Sequence, residues 1–558
     1  MNITKNWKRS IVNGTLLAAV LLFAQSANGE IRTWTNTGEG SWSEPANWGG
    51  TEPTMADAAY IVNGGTSVCE NAEVAGTFWL GENVGGDGTL RLDDPSASLT
   101  VAGAAFYWGR RATGTVIQTD GMLVVSNTTQ MGYFSSGLAK YVISGGTGTF
   151  HGTLTVGVNV GSDFGNGLIL QSGGLVRFNK DWGITANGYY ELTGGTVDSS
   201  AMLNIISGRM LIDGSSAVLK STAGALVYVN NSTAIEGAVL DIRNGLVTNL
   251  GFYVGHQRSG TVNQTGGLVT QPAGRSVALG TYSSGNGTWN LHGGTLALGK
   301  HGTPYNSLEI GQKSGATGTV YIGSVTGCGI LTQQVAGTGM YVGSGGTGSL
   351  VGWSDEGAGE HFFLTGPCYL NRGYLIADGY GTDRALDLTS LASVGSTLNN
   401  VLDGTFGCYS RNHGELRLPS IAVSGNTTTY WGDQGSVDLI NSAKLVLTGA
   451  SGTLTGKLFA VDHGEVPPLA SLRAISVHDF SVGGMTACTL SIRYDHQAAA
   501  AAKIDEEALK LYQWSGSGWT KVSSTVDTGT RTISTSGLTS LGWFAIGSPA
   551  SGTTLMVR

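Results

Sequence analysis

Charge is scarce in this chain. Of 558 residues only 12% are Asp, Glu, Lys or Arg, and the formal net charge is −8. Lys and Arg are scattered singly, so the basic footprint of a nucleic-acid binder and a polybasic membrane patch are both missing. The expected partner is therefore uncharged, or at least not a polyanion. Cysteine is also rare: Cys69, Cys328, Cys368, Cys408 and Cys488 lie far apart with no C-x-x-C pair. That spacing gives thiolate metal binding no support, and the odd count reads as isolated buried thiols although export would permit disulfides. No H-E-x-x-H, G-x-S-x-G or P-loop occurs, the nine histidines are dispersed, and no metal or cofactor is called for. No i, i+3, i+4 apolar pattern is sustained, which together with the glycine density excludes helical solenoids.

Long hydrophobic runs are confined to the N terminus. Lys5, Lys8 and Arg9 precede the apolar stretch IVNGTLLAAVLLFA, and small residues follow to Ala27-Asn28-Gly29. This is the pattern of an export signal over residues 1–29. No second run is long enough for an integral membrane segment after cleavage, so a secreted or surface-displayed mature protein is expected.

Glycine, by contrast, is abundant: there are 90, against ten prolines. Hydrophobic residues make up 41% of the chain, too many for a disordered polymer, and no strict Gly-X-Y period marks a collagen. Two phrases recur instead. One is GTVNQTGGLVTQ from Gly260, with near-copies from Gly114, Gly167 and Gly287. The other is a short apolar run closed by glycine, as in FWLG at Gly81, FYWG at Gly109, FYVG at Gly255, VYIG at Gly323 and MYVG at Gly343. From Gly81 to Gly157 these glycines fall 28, 23 and 25 residues apart. A propeller blade needs more chain than that, whereas a coil of two or three short strands fits.

The expected fold is all-β: a right-handed parallel β-helix (solenoid) followed by a small antiparallel β-sandwich. Along the glycine-closed phrase the residue before glycine is always apolar and the one before it varies, so a period of two sends the first inward and the second outward. The expected division is a Trp-rich N-terminal cap over 30–65, a β-helix of roughly fifteen coils over 66–460, and a sandwich over 461–558 with a short helical insert at 498–510. Trp34, Trp42 and Trp48 read first as a plug over the open end and second as a sugar-stacking platform. Gln118, Gln171 and Gln264 share one position of their phrase and face either into amide stacks or out to solvent.

These residues resemble a known family. Trp34, Gly40-Ser41-Trp42 and Asn47-Trp48, followed by Pro53, Asp57, Ala59, Ile61 and Gly64, are similar to the opening of exported bacterial proteins with autotransporter-passenger-like β-helices. LKLYQWSGSGWTKV, Leu509–Val522, is similar to a small sandwich domain at their C termini. The resemblance implies a pectin-lyase-like solenoid, secreted or cell-surface. It does not extend to a C-terminal barrel or a sorting tail, since the chain closes on SPASGTTLMVR.

Function is expected to lie on the outside of the coils. A lyase or glycosidase on this fold needs charged side chains matched across neighbouring coils, and Asp163, Asp213, Asp241 and Arg243 read more simply as turn residues. A lone GGDGTLRLDD from Gly85 is a poor calcium motif. Trp79, Tyr107, Tyr253, Tyr321 and Tyr341 share one outward position, which would set rings along one face. That arrangement suits neutral polysaccharide, although aromatics are also favoured on strands for structural reasons alone. The expectation is a non-enzymatic secreted or surface protein for architecture, adhesion or neutral-glycan contact, with a polysaccharide-degrading enzyme as the alternative.

Overall fold

The computed structural model describes residues 29–160, 163–301, 306–356, 359–398 and 405–550. Except for its last residue, the expected export signal lies outside the described residues, as do the last eight residues of the chain.

The chain winds as a parallel β-solenoid with three faces. The first face is a sheet of 15 parallel strands, from Ile31–Thr33 to Ser393–Gly395. Each strand pairs with its equivalent one coil away; Thr77–Leu80, for example, lies between Ala58–Ile61 and Ala105–Trp108. The second face runs from Glu39–Ser41 to Gly407–Arg411, and the third from Ala72–Ala75 to Ile330–Gln333. The second and third faces join into one 24-stranded sheet because two long strands, Ser259–Thr270 and Asn286–Leu298, run unbroken round the corner between them. The recurring phrase GTVNQTGGLVTQ is that corner.

Period-two alternation builds the core. Thr77–Leu80 is buried at Phe78 and Leu80 and open at Thr77 and Trp79, and Thr128–Met131 repeats the pattern. The inward residues Leu80, Trp108, Met131 and Val156 are fully buried. Rings stack inside the tube from rung to rung, as Phe78 on Phe106 at 4.9 Å and Phe150 on Phe178 at 5.5 Å. Each such side chain adds about 1.5–3 kcal/mol by leaving water.

The corner between the first and second faces explains the glycine that closes the phrase. Gly109 has φ +61°, and a Cβ there would sit 2.3 Å from the Leu138 carbonyl of the next coil. Five residues on, a Cβ at Gly114 would sit 2.3 Å from the Leu80 carbonyl oxygen of the previous coil. The first position needs a left-handed backbone and the second needs empty space.

The glutamines point inward, and they do not stack. Ile143 lies between Gln118 and Gln171 in the ladder, and Leu192, Ile212 and Ile242 lie between Gln171 and Gln264. Each amide instead ties a corner. Gln118 Nε2 donates to the Gly121 and Thr147 carbonyls at 3.0 and 3.1 Å, and its Oε1 accepts from the Tyr141 hydroxyl. Gln171 repeats this with Gly174, Thr196 and Tyr190. At Gln264 the donor to Oε1 is Trp289 Nε1.

The Trp-rich segment supplies the first rungs as well as a plug. Ile31–Thr33 and Glu39–Ser41 pair in parallel with the rungs above them. Trp34, Trp42 and Trp48 are buried and meet edge to face, at 5.0 Å for Trp34–Trp48 and 4.7 Å for Trp42–Trp48, with Trp42 against Phe78 of the core. Buried in this way they offer no face to a sugar.

At the other end two antiparallel sheets form the sandwich. One carries Gly425–Trp431, Ala443–Ala450, Ala487–Arg493 and Thr532–Leu538; the other carries Thr453–Phe459, Leu472–Ser481 and Gly542–Pro549. Strands on both sides of residue 460 therefore share sheets, and Pro467-Pro468 lies in the link between two paired neighbours rather than between domains. The glycine phrases persist to about Leu458, past the point where antiparallel pairing begins, so composition places the transition late. A short helix, His496–Ala501, opens with the Asp495 carboxylate capping Gln497 and Ala498. No disulfide forms among the described residues, and Cys69, Cys368, Cys408 and Cys488 are buried.

Candidate functional site on the first sheet

The position two before the corner glycine forms one ladder, a column along the first sheet, partly exposed at most rungs and buried at Gly183, Ala278 and Glu309. Ladder pairing runs Tyr60, Trp79, Tyr107 and Gln130, then Thr155, Gly183 and Asn204. It continues through Tyr228, Tyr253, Ala278, Glu309, Tyr341 and Tyr369. Three ring clusters result.

The first is a stack: Tyr60 on Trp79 at 5.3 Å and 12°, and Trp79 on Tyr107 at 3.9 Å and 23°. Arg110, just past the corner, lays its guanidinium within 5.1–5.7 Å of the ring centres of Trp79, Tyr107, Tyr133 and Phe134. Its NH1 donates to Glu82 Oε1 at 2.9 Å. Burial pushes the Glu82 carboxyl up, against the opposing pull of Arg110 and Arg111, and its Oε2 is buried with no hydrogen-bond partner. The second cluster sets Tyr228 edge-on to Tyr253 at 5.2 Å, with His256 parallel to Tyr253 at 5.8 Å and edge-on to Tyr282 at 5.0 Å. Burial lowers the His256 imidazole, which keeps it neutral, and Thr281 hydrogen-bonds its Nδ1. The third pairs Tyr341 with Tyr369 at 4.5 Å. Burial pushes the phenols of Tyr60, Tyr228 and Tyr341 up, so all three stay protonated as hydroxyl donors and acceptors.

Of the five expected rings, four lie on this column: Trp79, Tyr107, Tyr253 and Tyr341. Tyr321 does not. It lies on Thr317–Ile322 of the second face, paired with Asn290 and Val351. Its phrase also ends in a left-handed glycine, Gly323 at φ +76°, so the pattern alone cannot tell the two faces apart. Tyr60, Tyr228 and Tyr369 belong to the column and were missed because their phrases lack the glycine. At Tyr228 the corner residue is Asn230 at φ +65°, whose amide donates to the Ile235 and Ser259 carbonyls. Asparagine is the usual stand-in for glycine in that region, and it was the signal to search for.

The column is nearly free of charge. Its one ionisable carboxylate, Glu309, is 8% exposed and accepts from Gln312 Nε2 at 2.8 Å. On the third face, by contrast, Arg177, Asp198 and Lys220 form a ladder of alternating sign. On the second, Asp241 sits on a strand rather than a turn, bonded to Arg209 at 2.5 Å and Asn263 at 2.8 Å. Arg243 pairs with Asp213 across a coil at 3.4 Å.

Other polar groups serve the fold. Asp87 of GGDGTLRLDD accepts from the Thr113 amide of the next coil at 2.7 Å. The densest ionic cluster joins solenoid to sandwich: Arg417 meets Asp355 at 2.6 Å and Glu415 at 2.8 Å, and Lys457 meets Glu415 at 2.8 Å. Two clefts of about 440 and 430 Å³ open in the C-terminal part. Asp433 in the first accepts from the Ser396, Gln434, Asp438 and Leu439 amides; in the second, Asp495 caps a helix and Asp462 accepts from the His413 amide, so all three carboxylates are engaged by backbone. Among the described residues no three of His, Cys, Asp or Glu gather to hold a metal ion, and no helix is long and apolar enough to cross a membrane. No family model, curated protein or solved structure matches the chain.

Proposed function

We propose that this chain is an exported, non-enzymatic β-helical protein of cell-surface architecture or adhesion that contacts neutral glycans through the aromatic column. Tyr60, Trp79 and Tyr107 carry the reading, stacked on successive rungs of an otherwise uncharged strip. Flat rings accept the C–H faces of sugars, while phenol hydroxyls, Gln130, Thr155 and Asn204 match sugar hydroxyls without demanding a charge. Export rests on the N-terminal signal pattern, and kinship with autotransporter-passenger or pectin-lyase-like proteins rests on the tryptophan and repeat motifs. The enzymatic alternative would need two free carboxylates facing one groove, and the acids that line the clefts are bonded to backbone amides.

The test is a panel of neutral and acidic polysaccharides presented to the mature chain, with binding read by affinity electrophoresis and product release read as reducing ends and unsaturated sugars. Binding to a neutral polymer without release supports the reading, and Trp79→Ala should weaken that binding at least about tenfold, a loss of about 1.4 kcal/mol. Binding confined to acidic polymers, or release of product, overturns it.

A further inference from the structure

We infer that the three ring clusters are subsites of one extended site, and that its ligand is a long linear neutral polysaccharide lying parallel to the solenoid axis. This rests on the glycan reading above and adds the length and direction of the ligand.

The geometry comes from the ladder. Every rung of a stacked sheet advances about 4.8 Å. Tyr107 and Tyr228 are five rungs apart and Tyr253 and Tyr341 three, so the gaps between clusters are about 24 and 14 Å. From Tyr60 to Tyr369 there are twelve rungs, or about 58 Å along one line. A chain crossing the rod at right angles meets one cluster at most. A chain lying along the rod meets all three.

What lies between and beside the clusters favours the long path. The gap between the first and second clusters is bridged by Gln130, Thr155 and Asn204, neutral side chains that exchange hydrogen bonds with hydroxyls. The neighbouring outward position of the same strands is kept small beside the first cluster, at Ala58, Thr77 and Ala105, whereas beside the second cluster Leu226 and Arg275 lie over Gly251. Acidic polymers find little unpaired charge at the first cluster, because the guanidinium of Arg110 against its rings is already paired with Glu82; the second cluster has Arg275 near Tyr228. A charged ladder occurs on the third face and an ion pair, Arg209 with Asp241, on the second, so the scarcity of charge here is local rather than a property of the whole rod.

Linked subsites make affinity depend on ligand length. Once a first cluster is occupied, the next is met at the high effective concentration set by the connecting chain, which can raise affinity by about 10²–10⁴ without any new kind of contact.

The experiment measures dissociation constants of the mature protein for cello-, xylo- and laminari-oligosaccharides of increasing length and for their parent polymers. Oligosaccharides shorter than the narrower gap should bind weakly, and affinity should step up by at least about tenfold once a chain spans two clusters. Tyr253→Ala should remove the step for long chains while leaving short-chain binding to the Trp79 cluster intact, and Tyr253→Phe, which keeps the ring, should preserve it. Lys220→Gln on the third face should change nothing. Affinity independent of length, with short-chain binding intact, overturns the extended site and leaves glycan contact standing. Absence of any neutral-glycan binding overturns both. Concentration-dependent self-association that Trp79→Ala abolishes would assign the column to a second copy of the chain and overturn the extended site.

Discussion

Removing the Tyr141 hydroxyl tests whether the corner glutamines hold the coils together. Burial pushes the Tyr141 phenol well above its ordinary value, so it stays protonated and donates to Gln118 Oε1 across the working pH range. Tyr141→Phe strands that oxygen in a site with no exposure; the lost bond and the unpaired acceptor together cost about 1–3 kcal/mol. Gln118→Leu places a leucine between Leu92 and Ile143 of the same ladder, but it strips the amide from Gly121 and Thr147 and strands the phenol, for about 2–4 kcal/mol. The double variant Gln118→Leu with Tyr141→Phe removes both partners, leaves no side chain unpaired, and should cost about 1–2 kcal/mol less than the sum of the singles. Urea unfolding followed by tryptophan fluorescence measures this through the midpoint at unchanged slope. Tyr190→Phe with Gln171→Leu repeats the geometry two rungs along and should give the same coupling. Singles that add to within about 0.5 kcal/mol of the double would refute the corner-tie argument.

The two ends of the molecule should respond to pH in opposite directions. Glu73 occupies an inward position where the next coil places Leu99, and burial, then a proton shared with Glu52, push it up to about 8 from 4.5. The fold keeps a proton that the unfolded chain releases, so this stability is complete below pH 4.5 and is lost as pH rises toward about 8. Glu73→Gln should flatten that slope and stabilise the N-terminal rungs by about 1–3 kcal/mol near pH 8, read by hydrogen exchange. His478, buried in the sandwich beside Trp431 and Phe480 with neither ring nitrogen bonded, is pushed down to about 3 by burial. Its contribution is present above pH 6.5 and lost as pH falls toward about 3, so His478→Phe should reduce acid sensitivity of the sandwich alone. Gly109→Ala should be among the most damaging single changes in the solenoid, more than about 3 kcal/mol, because it meets both a left-handed backbone and a carbonyl carbon at 2.3 Å; a thermal midpoint within a degree of the parent would sink that account.

Much of the fold was legible because stacking makes each coil answer to its neighbours. Leu80, Trp108, Met131 and Val156 could be placed inside from period two alone. The spacing of the closing glycines anticipated roughly fifteen coils over 66–460, and the first sheet has thirteen strands in that span with two more before it, in the Trp-rich segment. The aromatic column was legible only where glycine closes the phrase, since that residue both marks the corner and sets the register. It was lost at Tyr228, where Asn230 takes the same backbone conformation, and misassigned at Tyr321, where a second-face strand ends in the same way. The start of the sandwich escaped for a different reason. Ala443–Ala450 and Thr453–Phe459 alternate just as solenoid strands do, and only partner direction, a long-range property, separates them.

Where structure constrains least, the remaining regularities say most about use. Corner positions must be glycine or its equivalent, and inward positions must fill the tube, so repetition there needs no further cause. The outward column of the first sheet is under neither demand; threonine or lysine would satisfy a solvated strand as well. Yet over rungs where the third face alternates Arg177, Asp198 and Lys220, the first face keeps to Gly183, Asn204 and then Tyr228. Rings stacked on rings also lose sugar-facing area to one another, and a purely structural role would favour burying them from both sides. Trp79 is covered on both faces by Tyr60 and Tyr107, yet it and Tyr107 remain partly exposed, the arrangement expected of a surface kept for an uncharged and elongated ligand.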